Sequence, residues 1–172
     1  MTAEALLDSN VVVAIVAEAH EHHASSLDLL IGETSSRFAV CAHSYAEAYC
    51  TLTRLGEHAP FRFAPEEAWA ALESVRAATT LVGLTAAQTF DAIRSYAQSG
   101  GVGARLYDRL IGEAAIAHGM TSIATWNVGH MRGLFPSLTI STPRDLSRAG
   151  RSEGRGGAHR SGVTSDSTHV KR

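Results

Sequence analysis

With 172 residues, 45% of them apolar, the chain is long enough for one folded domain with a sizeable core. Charged residues make up 19% and the formal net charge is −2, which excludes both a highly charged disordered chain and a protein that is basic throughout. The balance is uneven: residues 1–147 hold 9 of the 15 Lys and Arg and 15 of the 17 Asp and Glu, net −6, while residues 148–172 hold 6 and 2, net +4.

Taken in chain order, Ala5-Leu6-Leu7 is a short apolar run that reads as a buried strand. Val11 to Val16 follows as a β-branched run that fits either a helix or a second strand after a turn at Ser9-Asn10. His20 and His23 share a helix face, but Cys41, Cys50 and the remaining histidines offer no matching pair for a closed metal site of about four ligands. These histidines are therefore expected at the surface or in partner contacts. Phe38 to Cys41 reads as the next strand, and Tyr45, Ala48, Tyr49 and Leu52 then repeat at helical spacing. Pro65-Glu66-Glu67 opens a further helix, with proline in the first turn and acids at the positive end of the dipole. Thr80-Leu81-Val82 is a third strand, and Thr85 with Gln88 has the spacing of a capping box for a helix through Tyr96. Gly101-Val102-Gly103 lacks a third glycine and a preceding strand, so it reads as a loop rather than a nucleotide cradle. Tyr107, Leu110, Ile111 and Ala114 form another helical stripe, which Gly119 can end as a left-handed cap. Ser122-Ile123-Ala124 is a fourth strand and Leu138-Thr139-Ile140 a weaker fifth.

Strands spaced by helices favour parallel pairing, because parallel neighbours need a crossover connection. The class is α/β, a three-layer α/β/α sandwich around a central, mainly parallel sheet of four to five short strands. Residues 147–172, rich in Gly, Ser and Arg, cannot bury enough to offset their ordering entropy and are expected to be a disordered tail on a domain spanning 1–146. No stretch approaches the roughly 18 apolar residues of a membrane helix. Glu4 and Asp8 interrupt the first apolar run and no basic residue precedes it, so neither a membrane nor an export signal is expected. Two cysteines make no disulfide scaffold, which suits a reducing cytoplasm.

In open α/β sheets ligands gather outside the carboxyl ends of the strands. Asp8 closes the first strand there, although an N-cap for the helix after it would also explain an Asp. Glu47 lies away from the Tyr45 stripe, where a solvated carboxylate is the plain reading, but Ala46, Cys50 and Thr51 around it are small and only mildly polar. Asp108 opens its helix, where the dipole alone stabilises a carboxylate by about 0.3 to 1 kcal/mol. Asn127 follows the fourth strand in TWNVGHM, a place where a loop Asn is usually a turn residue.

Together these residues form an ordered set, and the chain resembles the PIN-domain nucleases, within them the VapC-type toxins of bacterial toxin–antitoxin pairs. The resemblance runs through LLDSNVVVA, SYAEAYCTLTR, YDRLIGEAAIAHGM, IATWNVGHM and the closing ISTP, and covers the body without the tail. It implies that Val11 to Val16 is helical. It also implies that Asp8, Glu47 and Asp108 bind Mg²⁺ or Mn²⁺, that Asn127 fills the fourth position, and that Ser9, Asn10 and Thr125 buttress the first and fourth members. Many PIN domains carry another Asp in the late loop, where this chain has Asn127 and His130. Hard divalent cations take oxygen ligands and Mg²⁺ keeps several waters, so three acids and an amide suffice once substrate phosphate completes the site. The implied activity is a metal-dependent endoribonuclease, with a cognate antitoxin and a homodimer as its implied assembly. Arg54, Arg105, Arg109 and Arg132 are the candidate RNA contacts, and Tyr49 and Trp126 could stack on unpaired bases or pack internally.

Two other readings compete. A haloacid-dehalogenase-type phosphotransferase also starts from an Asp after the first strand, but it needs a second Asp where this chain has Asn10 and a late catalytic Lys, whereas the only lysine is Lys171. A catalytically weakened PIN-like RNA-binding or regulatory module would bind metal without cleaving.

Overall fold

The computed structural model describes residues 3–31, 37–57 and 59–148. Five strands, β1 (Ala5–Leu7), β2 (Phe38–Cys41), β3 (Thr80–Val82), β4 (Ser122–Ala124) and β5 (Thr139–Ser141), form one sheet in the order β3-β2-β1-β4-β5. Every pairing is parallel, with Leu6 opposite Ala39 on one side and Ile123 on the other. Seven helices connect or follow the strands: α1 (Ser9–Val16), α2 (His23–Leu27), α3 (Ala42–Leu52), α4 (Pro65–Ala78), α5 (Ala86–Gln98), α6 (Arg105–Ala117) and α7 (Val128–Leu134). Residues 143–148 add a last helical stretch. No helix among the described residues is long and apolar enough to cross a membrane. The expected tail falls almost wholly outside the described residues.

The two-residue period of the strands divides the core in two. Ala5, Leu7, Phe38 and Val40 join α1, α3 and α4 in one buried cluster, while Leu6, Ala39, Cys41 and Ile123 join α6 and α7 in the other. This alternation makes the three layers. The Val11 to Val16 run is helical because Asp8, in extended backbone, caps it through Ser9 N–H. Residues Val11 to Ile15 are all buried, which hides any amphipathic period. Glu67 accepts from Ala64 N–H at the start of α4. Thr85 and Gln88 close their capping box reciprocally, at 3.2 and 2.8 Å. At the end of α6, Gly119 takes φ 70° and Met120 N–H reaches back to Ala115 O, as a Schellman ending requires.

Two sequence expectations shift. β5 begins at Thr139 rather than Leu138, since Leu138 N–H is taken by Phe135 O in the preceding turn. Tyr107, placed by its spacing on the buried stripe of α6, is 42% exposed, and its ring meets His43 at a centroid distance of 4.8 Å.

Gly112 of α6 is where the second layer fits most closely, because a Cβ there would overlap the buried ring of Phe135. Gly112→Ala is therefore expected to lower stability by about 1 to 2 kcal/mol. Displacing Phe135 costs about 1 to 3 kcal/mol, and the better helix propensity of Ala returns under about 1 kcal/mol. Chemical denaturation with an unchanged m-value is the measurement, and a variant as stable as the wild type would show that the ring relaxes freely.

Candidate active site

β1 is central: the chain builds outward from it through β2 to β3 on one side and then returns to add β4 and β5 on the other, so the strand order reverses between β1 and β4, where open α/β sheets bind ligands outside the carboxyl ends. Asp8 N–H donates to Ala124 O at that point. The Asp8 side chain is buried and surrounded by donors. Oδ1 accepts from Ser9 N–H at 2.6 Å and from Ser9 Oγ at 3.3 Å. Oδ2 accepts from Thr125 Oγ1 at 2.6 Å and from Asn10 Nδ2 at 2.8 Å. Oδ1 thus caps α1 through Ser9, while Oδ2 is held by Thr125 and Asn10.

Ser9, Asn10 and Thr125 all donate to Asp8. Asn10 Nδ2 also donates to Thr125 Oγ1, and Asn10 Oδ1 accepts from Trp126 N–H. Thr125 Oγ1 accepts in turn from Asn127 N–H at 2.9 Å. With its rotation locked from both sides, Asp8 presents a carboxylate of fixed orientation.

Glu47 and Asp108 approach from α3 and α6. The Glu47 carboxyl is raised to about 7, first by burial and then by the charges of Asp8 and Asp108, against a Ser9 hydrogen bond that pulls it down. Asp8 is raised by burial, against the hydrogen bond from Thr125, and then by the charge of Asp108. Asp108 is also raised by burial, with His130 and Arg105 opposing. The three acids therefore feel one another in a poorly solvated place, and each resists ionising there. Glu47 Oε2 is buried with no hydrogen-bond partner.

Asn127 precedes α7 with φ −101°, so its backbone is not left-handed, and its side chain makes no cap. Its amide lies 3.2 Å from His130 Nδ1, which is 3.3 Å from Asp108 Oδ2. Asn127 thus connects to the acids through His130, a link that the i, i+3 spacing of the two permits but does not announce. His43, one turn before Glu47 on α3, has a buried Nε2 without a partner.

The arginines divide. Arg105 is exposed and its charge reaches Asp108, and Arg54 is exposed just beyond α3. Arg109 is paired with Glu113 at 2.6 Å and lies over the Phe135 ring, and Arg132 donates to Ile140 O; both have a structural role beside any contact with RNA. Tyr49 lines an apolar groove of about 850 Å³ between α3, α4 and β3, which none of the four candidate site residues lines. Trp126 has one face covered by His22, with ring centroids 3.8 Å apart. The histidines are packed rather than free at the surface: His20 stacks on Phe61, and His23 Nδ1 meets Ala14 O at 3.0 Å.

Residues 5–128 match the family model of the PIN domain. The chain belongs to the PIN domain family. No curated protein matches it in sequence. Among solved structures, this PIN domain is similar in fold to VapC20 of Mycobacterium tuberculosis, a toxin that cleaves the sarcin-ricin loop. That likeness has 14% identity and a TM-score of 0.57, over 74% of this chain and 93% of that one. It is similar to the DNA-bound VapBC of Salmonella typhimurium at 20% identity and a TM-score of 0.59, over 83% and 99%. It is also similar to VapBC2 of Rickettsia felis bound to promoter DNA, at 18% identity and 0.54, over 80% and 96%.

The donor set suits a hard divalent cation. Among the described residues no three His, Cys, Asp or Glu side chains are already gathered as a ligand set. Carboxylates that raise one another's pKa and a buried Glu47 oxygen without a partner are nevertheless what a cation would relieve.

Proposed function

We propose that this PIN domain is a metal-dependent endoribonuclease and the toxin of a toxin–antitoxin pair. The observation that carries the proposal is a set of three acids that resist ionising together: Asp8, buried at the carboxyl end of β1, and the half-buried Glu47 of α3 and Asp108 of α6. Its support from relatives is the fold shared with VapC and VapBC proteins. Asp8, Glu47 and Asp108 would hold Mg²⁺ or Mn²⁺, with Asn127 in the fourth position. Bound there, the ion would neutralise the acids, lower the pKa of a water and stabilise charge developing on the phosphate.

The chain's own residues do the rest. Thr125, Asn10 and Ser9 fix the Asp8 carboxylate, so that little reorganisation is needed when substrate arrives. Arg105, exposed and with its charge felt by Asp108, and Arg54, exposed beyond α3, would attract the polyanion to an otherwise acidic body; such contacts give salt-dependent affinity without sequence choice. Membership of the PIN family leaves no place for the dehalogenase-type reading. The cognate antitoxin belongs to the same proposal, supported by the fold shared with the VapBC complexes, and a homodimer is proposed with it from the family resemblance alone.

Single-turnover cleavage of a labelled structured RNA tests it. Cleavage that rises with Mg²⁺ or Mn²⁺ and is lost in EDTA is the expected result. Tight metal binding without cleavage of any RNA would instead favour the weakened, RNA-binding module.

A further inference from the structure

Of the three residues that leave β4 for α7, Thr125 and Asn127 turn their side chains to the site and its partner His130, whereas Trp126 sends its ring elsewhere. The indole Nε1–H donates at 2.9 Å to Ser26 Oγ, a fully buried hydroxyl on α2. One indole face is covered by the His22 ring at 3.8 Å with an interplanar angle of 22°. His22 is itself held, since its backbone N–H donates to His20 Nδ1 and His20 stacks on Phe61. A series of rings, Phe61, His20, His22 and Trp126, thus runs from the loop before α4 to the strand end that carries Thr125.

The backbone of that same turn serves the acid cluster. Trp126 N–H holds Asn10 Oδ1, and Asn127 N–H holds Thr125 Oγ1; Asn10 and Thr125 are the two side chains that donate to Asp8 Oδ2. A turn free to rock would let both donors drift from Asp8. Thr125 ties the turn to α1 through Asn10, and the anchored indole ties it separately to α2.

We propose that Trp126 is a positioning residue for the acid cluster: clamped by His22 and Ser26, it fixes the 125–127 turn and through it the orientation of Asp8. The proposal rests on the reading of Asp8 as a metal ligand. It gives the histidine run at 20–23 a purpose that needs neither a metal nor a partner protein.

Titration calorimetry of Mn²⁺ binding to the full chain without RNA tests the proposal on wild type, Trp126→Phe, Ser26→Ala and His22→Ala. Trp126→Phe and Ser26→Ala each remove the indole–hydroxyl bond and keep a ring or a small buried side chain in place, and His22→Ala removes the stacked ring. Val75→Ala, on the buried face of α4, is the control for a general loss of stability. Outer-shell partners of a metal ligand typically contribute 10- to 100-fold in affinity, so about tenfold weaker Mn²⁺ binding is expected for the three clamp variants. Val75→Ala should bind as wild type does despite an equal or larger fall in Tm. Unchanged affinity in all three clamp variants would overturn the positioning role and leave the metal site standing. An equal loss in Val75→Ala would reduce the clamp to general stability and overturn it too. A wild-type chain that takes up no Mn²⁺ would overturn the metal reading and this proposal with it, whereas Mn²⁺ binding without cleavage would count against the nuclease alone.

Discussion

Asp8→Asn is expected to lower the single-turnover rate of RNA cleavage by roughly a thousandfold, the several kcal/mol that charge stabilisation by a bound metal supplies. The substitution keeps the shape of the side chain and its capping oxygen toward Ser9 N–H, so α1 should remain intact. What it removes is the charge. It also turns one acceptor into a donor facing a network of donors, because Thr125 Oγ1 and Asn10 Nδ2 both give to Oδ2, and Asn10 cannot turn over without releasing Trp126 N–H. Mn²⁺ affinity should therefore fall together with the rate, while far-UV circular dichroism stays that of the wild type. A variant that cleaves at the wild-type rate would leave Asp8 as a cap and nothing more.

The order of strands and helices was legible because each signal was local. A capping box at Thr85, a proline at the first turn of α4 and a glycine after α6 act within a few residues, and the runs of three or four apolar residues between such signals are the length of short strands. The Val11 to Val16 run was ambiguous for a physical reason: a helix buried along its length shows no polar face, so its period disappears. α2 and α7 left no trace, being five and seven residues long without side-chain caps, and α7 holds two glycines. Tyr107 misled because spacing says which residues share a stripe but not how far the stripe stays covered, and α6 emerges from the core at its first turn.

Each acid of the site was visible singly, always beside an adequate local explanation. Their grouping came only from the family resemblance, because no local signal says that β1 and β4 are neighbours or that α3 and α6 flank them. The contacts that escaped the sequence reading are of the same kind: His130 with Asp108, and Trp126 with Ser26 a hundred residues away. No periodicity encodes such pairs. Ser9, Asn10 and Thr125 were named through the family resemblance, and their bonds to Asp8 span up to 117 residues of sequence.

The pH dependence of stability provides a test of that convergence which needs no substrate. In the unfolded chain Glu47 ionises near its ordinary 4.5, but in the folded protein burial, assisted by Asp8 and Asp108, raises this to about 7. Between those values the unfolded chain has lost a proton that the native state keeps, so stability falls as the pH rises, and the loss is complete above about 7. Glu47→Gln carries no such loss, and since Oε2 has no partner to lose, the substitution breaks no hydrogen bond at that atom. In EDTA the variant's Tm should match that of the wild type near pH 4.5, rise above it as the pH approaches 7, and keep a constant lead at higher pH. Saturating Mg²⁺ at pH 8 should narrow or reverse the lead, because an ion that binds only the native site stabilises it by mass action and binds better to three charges than to two. A Tm difference that ignored pH would show Glu47 to be an ordinary solvated carboxylate outside the cluster.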